Sequence, residues 1–406
     1  EETRPAAPRR AGDRLARMLG GEHPRLVEEW LEIAAERGVR VPAPLIPPLL
    51  DLGARDRSIR ARLAVLTGAR GRWLAGLNPA WAYLLGESSG AGDALDHGIW
   101  EFGAGGDRRA FLARLRAADP GQARELLAVG WASESGDDRA AFLAAFADGL
   151  SMADEPFLES ALDDRRREAR QTAADLLTRL PDSRLGRRMA ERAARALVRV
   201  GDTLTARPPQ ACDSAMERDG LRARPPAGGG ERGWWLQQVI SHTPLAFWPG
   251  HLGGTVAEIT RLDLGDWARE VRMGWTRAAI LQRDPEWARA LLDIEPLTDL
   301  LAVLPPDEQS QRAAQLVYTG KVDGQLIMML GGVPRPWGEP LARAVLTRIT
   351  ELAAKQPWNA GELANLAAVR IDPGWYDQVA RFAEHGEMED LAAILRFRSD
   401  MIKEFS

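Results

Sequence analysis

From Asp163 to Arg199 the chain carries eleven arginines against six acidic residues, although its formal net charge is −5. Arg166 and Arg170 lead one predicted helix, and Arg184, Arg187, Arg188, Arg192, Arg195 and Arg199 run along the next. From Arg187 onward the repeats come mostly at three- or four-residue steps, the spacing that stacks side chains on one helical face. A row of guanidinium groups holds phosphates or carboxylates through paired N–H donors. The competing reading is a solvated face with local pairs such as Glu191 with Arg195, each contributing about 0.2–0.5 kcal/mol.

Tryptophan is the second unusual feature, with 14 against 9 Phe and 3 Tyr. Trp234, Trp235 and Trp248 crowd one region with Trp267, Trp275 and Trp287. Indole rings anchor cores with their N–H bonded at the rim. On a surface they supply interface anchors or platforms for stacked bases. Core packing is expected to take most of them, and Trp234, Trp235 and Trp248 are the aromatic candidates for partner binding.

Other chemistry is weakly supported. Asp154, Glu155, Glu159, Asp163 and Asp164 lie close together, and paired carboxylates do acid–base work when burial splits their pKa values. Acids are also favoured at helix starts, so capping and a solvated face explain them more simply. His23, His97, His242, His251 and His385 show no metal-ligand spacing, and the single cysteine is Cys212. His242 and His251 are the one pair that flanks an aromatic cluster. Gly103 to Asp107 precedes a predicted helix, but it lacks the Lys-Ser/Thr of a phosphate loop and ends in an acid. Gly228 to Gly230 has the same defect. No GxSxG elbow is present. No catalytic residue, metal or cofactor is assigned.

The elements that must position these residues are almost all helical. Ser151 with Asp154 and Glu155 resembles a capping box, followed by an apolar face of Phe157, Leu158, Ala161 and Leu162. Ala169, Ala173, Leu176, Leu177 and Leu180 stripe a second helix that Pro181 ends. Asp182 or Ser183 caps a third, with Leu185, Met189, Ala193, Ala196 and Leu197 inside. Earlier, Pro24 opens a helix with Trp30, Leu31 and Ala34 on one face and Gly38 beyond its end. Asp-Pro recurs as a helix opener at Asp119, Asp284 and Asp372, where Asp caps and Pro presets φ. Gly86 to Gly106 is expected to be a long loop, and Gln325 to Leu330 is the one stretch where a strand competes with a helix.

Paired small-residue-rich helices are the unit of an α-solenoid, so the expected fold is all-α, an α-solenoid of helical hairpins in two arrays. The arrays would span residues 1–205 and 234–406, divided by the Pro/Gly-rich stretch 206–233. At 406 residues, 45% hydrophobic and 27% charged, the composition is globular. The acidic balance argues against a dedicated nucleic-acid binder. One cysteine fits a reducing compartment, and no run of about 18 apolar residues is present. The N-terminal stretch lacks the apolar core of a secretory signal, so a cytoplasmic location is expected.

The segment ALDDRRREARQTAADLLTRLP, Ala161 to Pro181, resembles a HEAT-type repeat. DRRAFLARLRAADPGQARELL, DRAAFLAAFADGLSMADEPFLESALDDRRREAR and LLTRLPDSRLGRRM are similar to an uncharacterised bacterial family, domain-of-unknown-function family 5691. HPRLVEEWLEIAAERGVRVPAPLIPPLL, ARGRWLAGLNPAW and WWLQQVISHTPLAFW resemble further blocks of it. The resemblance carries over no catalytic residues. It implies the company of MoxR-type AAA ATPases, von Willebrand factor A-type proteins and SWIM zinc-finger proteins, and hence an adaptor role. The expected function is a non-catalytic helical-repeat scaffold that binds protein partners without a membrane. The alternative is a nucleic-acid-binding repeat protein using the arginine row.

Overall fold

The computed structural model of the chain describes residues 4–86, 97–226, 229–295, 297–353, 355, 357–382 and 386–405, without side chains for 86, 357 and 382. Among these residues the fold is all-α apart from one two-stranded hairpin. No described helix is long and apolar enough to cross a membrane.

The chain divides into two compact units. One joins Glu1–Ala94 to Pro306–Ser406, and the other is the intervening Leu95–Pro305. The expected boundary at 206–233 is therefore misplaced, because that stretch lies inside the second unit. Its composition suggested a linker, yet Met216, Asp219 and Leu221 are all buried. Asp213 caps a short helix, Ser214–Arg218, by accepting from the Met216 amide at 2.8 Å. Gly220 follows with φ +87°, where an added Cβ would stand 2.6 Å from that of Ala174. That contact and the left-handed backbone both require glycine.

In the first unit the helix Val27–Glu36 buries Trp30, Leu31 and Ala34 as its periodicity predicts. The Trp30 indole donates to the Ala11 carbonyl at 2.9 Å, and its ring lies 5.2 Å from that of Phe405. The helix Glu387–Lys403 thus packs into the same core as the helix Arg9–Leu19. Arg14 ties them again through two 2.6 Å bonds to Glu404. Arg398, almost wholly buried, donates to Glu29 and also to the carbonyls of Ala368 and Ile371 at 2.8 and 2.7 Å. Those carbonyls end the helix Pro357–Arg370 and would otherwise lack partners. Arg398 thereby fixes the helix whose outer face forms the cleft described below.

In the second unit, Trp248, Trp275 and Trp287 form a buried chain of rings at 5.8 and 5.4 Å. Phe142 and Phe146 fill another part of the interior. The capping box is present: the Ser151 amide donates to Asp154 at 3.0 Å at the start of a short turn. All three Asp-Pro openers cap through the Asp side chain, Asp119 and Asp284 in this unit and Asp372 in the first.

Three local expectations are corrected. Within the expected loop Gly86–Gly106, residues 99–102 (IWEF) belong to a helix, His97–Phe102, where Trp100 packs 5.3 Å from Phe142. The flanking residues 87–96 lie outside the described set. Gln325–Leu330 is helical, within Gly324–Gly332, opened by Asp323 as cap. The third helix ends at Ala196, and Leu197–Val200 forms β1, paired antiparallel with β2, Thr203–Ala206. Val198 and Val200 favour the strand, and Gly201 at φ +63° makes the turn.

Candidate functional site

The arginine row sits on the helix Arg184–Ala196, which starts where Ser183 accepts from the Gly186 amide at 3.0 Å. Arg184 grips Glu155 with two 2.9 Å bonds. Arg188 bonds Asp219 at 2.7 Å and lies 3.0 Å from Glu159, while Arg192 reaches the other Asp219 oxygen at 2.6 Å. Arg218, from the supposed linker, completes the set with Asp163 at 2.6 Å and Glu159 at 3.0 Å. Four guanidinium groups thus meet the four carboxylates of Glu155, Glu159, Asp163 and Asp219, and their charges cancel.

The remaining members of the row are dispersed. Arg199 is on β1 and donates to the Gly253 carbonyl at 3.0 Å, so it leaves the helical stripe. Arg170 donates to the carbonyl of Asp164 at 2.8 Å, and exposed Arg166 stands 3.8 Å from Asp137. Arg187 and Arg195 are exposed and make no ion pair among the described residues. Of the eight arginines, these two keep their full charge available on the surface.

The acidic cluster supplies three of those four carboxylates, and its other two members pair elsewhere, Asp164 with Arg139 at 2.7 Å and Asp154 with Arg116. Asp154 accepts from Arg116 at 2.9 and 2.5 Å and from Arg124 at 3.2 Å. Burial favours its neutral form, but Arg116 and the Ser151 amide outweigh burial and hold it below the ordinary carboxylate range. Arg184 lowers Glu155 and Arg218 lowers Asp163 in the same way. A general acid at neutral pH needs a raised pKa. These carboxylates are shifted the opposite way, and the cluster is a structural clasp.

Two aromatic candidates are withdrawn from the surface. Trp248 is fully buried, and Trp235 is buried with its indole donating to the Ala223 carbonyl at 2.8 Å. Neither has surface to offer a partner. Trp234 is half-buried and donates to the Arg222 carbonyl at 3.0 Å. The histidines are spread apart in role. His242 contacts the Gln238 carbonyl and Asp175, whereas His251 contacts the Leu197 carbonyl and stacks on Phe247. His385 and Gly228 lie outside the described residues. No group of three or more His, Cys, Asp or Glu side chains able to hold a metal is found among those described. Burial first, and then the nearby Glu217 and Asp213, push the Cys212 thiol up to about 11, so it is not an activated nucleophile.

A concave site lies elsewhere, in the first unit. A cleft of about 820 Å³ runs along the helix Pro357–Arg370. Trp358, Gly361, Glu362, Asn365, Leu366, Val369 and Arg370 line it. That is a single helical face at three- and four-residue steps, while Ala360, Leu363, Ala364, Ala367 and Ala368 bury the opposite face. The far wall brings Arg25 from the turn Pro24–Leu26, Glu28, Ile327 and Arg335. Trp358 is 77% exposed, a position for a large aromatic that core packing does not explain.

Charge in the cleft is uneven. Glu28 is engaged by Arg62 at 3.0 Å, and Arg335 by Glu32, which Arg62 also holds at 2.7 Å. Arg25 and Arg370, the latter donating to the Val333 carbonyl at 3.0 Å, then share the cleft with the carboxylate of Glu362. Burial, with Arg335 adding repulsion, pushes Arg370 below the usual arginine value. Sequence reasoning missed this site because Arg25, Arg335 and Arg370 are joined only by tertiary folding. The periodic face from Trp358 to Arg370 was the available signal.

A family described as of unknown function (DUF5691) matches residues 1–405, and the chain belongs to it. No curated protein and no solved structure is significantly similar to the chain.

Proposed function

We propose that this member of the family is a non-catalytic adaptor that binds a protein partner through the cleft on the helix Pro357–Arg370. The observation that carries the reading is the 77% exposed Trp358 in a cleft that Arg25 and Arg370 also line. Tryptophan and arginine are the residues that most often anchor protein interfaces. The ion-paired state of the acidic cluster supports the non-catalytic part, since those carboxylates are shifted away from acid–base use. HEAT-like stacking is part of the proposal, supported by paired helices such as Arg167–Thr178 and Arg184–Ala196. A cytoplasmic setting is another part, supported by the lone Cys212.

A photo-crosslinking residue in place of exposed Glu362 tests the reading. The expected result is a covalent adduct with a protein, with a MoxR-type AAA ATPase and a von Willebrand A-type protein as the first partners to try. Adducts to nucleic acid alone would overturn it. The nucleic-acid alternative has one observation in its favour, the unpaired exposed Arg187 and Arg195. Two phosphate contacts predict a salt slope near −2, far shallower than that of a dedicated binder.

A further inference from the structure

We infer that the cleft receives an extended acidic segment of the partner, with carboxylates on Arg25 and Arg370 and an apolar side chain against Trp358. The inference rests on the partner-binding reading and names the partner's chemistry.

Charge complementarity is the first support. With Arg335 and Glu28 satisfied by Glu32 and Arg62, the two remaining guanidinium groups exceed the one remaining carboxylate. A short acidic segment would set a carboxylate against each of these two guanidinium groups. Burial and Arg335 disfavour the Arg370 cation, with Glu28 opposing them, and a carboxylate laid against it would offset that cost. A polynucleotide requires a row of cations for its successive phosphates, whereas the cleft lining holds three arginines, one of them paired with Glu32.

Gly361 is the second support. It lies inside a helix, where glycine costs about 1 kcal/mol relative to alanine. An added Cβ there would meet nothing within 4 Å, and its φ is not positive. Neither packing nor backbone conformation therefore requires glycine. Its absent side chain leaves the floor of the cleft bare between Trp358 and Asn365, where another backbone can approach closely.

Size is the third. From Trp358 to Arg370 the helix rises about 18 Å at 1.5 Å per residue. An extended strand covers that distance in about six residues. Ile327, Leu366 and Val369 supply apolar wall along it.

The experiment is fluorescence anisotropy on the full chain with a fluorescein-labelled hexapeptide alternating glutamate and leucine. Arg25→Glu, Trp358→Ala and Gly361→Leu each change an exposed or open position and should leave the fold intact, checked by circular dichroism. Binding is expected, weakened about tenfold or more by each variant. A lysine-for-glutamate peptide should not bind. The inference is overturned if the acidic peptide fails to bind, if the lysine peptide binds equally, or if the three variants leave affinity unchanged. Tighter binding of a labelled oligothymidylate to the same cleft also overturns it. A Glu362 crosslink to a protein alongside no acidic-peptide binding removes the inference and leaves the adaptor reading standing.

Discussion

Arg116 donates two hydrogen bonds to Asp154, at 2.9 and 2.5 Å, and neither side chain has any exposed surface. Arg116 also donates to the carbonyls of Asp148, Pro120 and Gly149, so every part of the guanidinium is used. Arg116→Met strands the Asp154 carboxylate in the interior with only Arg124 for charge. Breaking a buried pair from one side costs about 3–5 kcal/mol. Urea unfolding should show a loss of that order for Arg116→Met, and Arg116→Met with Asp154→Leu should lose less than the two single changes added together.

The paired carboxylates set the response to acid. Asp154, Glu155 and Asp163 all have lowered pKa values in the folded chain. A depressed folded pKa contributes stability that is complete above the unfolded value, about 4 for carboxylates, and is lost as pH falls through the folded value. Stability should therefore be nearly constant from pH 7 to about 5.5 and should fall steeply below about 4. Urea midpoints measured across that range check the sign. Glu155→Gln should flatten the acid limb.

Asp219 accepts from both Arg188 and Arg192 and keeps their charge from the solvent. Asp219→Asn should destabilise the chain by about 1–3 kcal/mol, because charged hydrogen bonds are lost in a buried place. It should also raise non-specific DNA binding at low salt by freeing two guanidinium groups. Arg187→Glu with Arg195→Glu should change stability by less than about 0.5 kcal/mol. Thermal melts and a gel-shift titration in two salt concentrations separate these outcomes.

Trp248 serves the interior, with its ring 5.8 Å from that of Trp275. Trp248→Ala should cost about 3–5 kcal/mol through the cavity it opens. Trp358→Ala should leave the urea midpoint within experimental error, since that ring is largely in water.

Gly361→Ala should raise stability by about 1 kcal/mol by restoring helix propensity at an open site. A calorimetric melt checks it. A fall in stability would mean that the glycine serves packing and not access.

The helical character was legible because apolar residues at three- and four-residue steps need only local information, as at Trp30, Leu31 and Ala34. Caps were legible for the same reason, as at Ser151, Ser183 and Asp284. The arginine row was visible, but its partners were not: Glu155 and Asp219 lie 27 to 31 residues from the members of the row they bind. Charge counting cannot distinguish a solvated stripe from one clasped by carboxylates. The Pro/Gly-rich stretch misled because composition reports flexibility, while burial of Met216 and Asp219 depends on neighbours far along the chain. The cleft lay deepest, since Arg25 and Arg370 meet only when the two ends of the first unit fold together.

The central claim is that binding belongs to the Trp358 cleft and that the arginine row is mostly internal. Partner retention measured side by side for Arg25→Glu and for the Arg187→Glu, Arg195→Glu double variant tests it most directly. The account predicts that the first loses the protein partner and the second keeps it. Retention by Arg25→Glu together with loss by the double variant would contradict it.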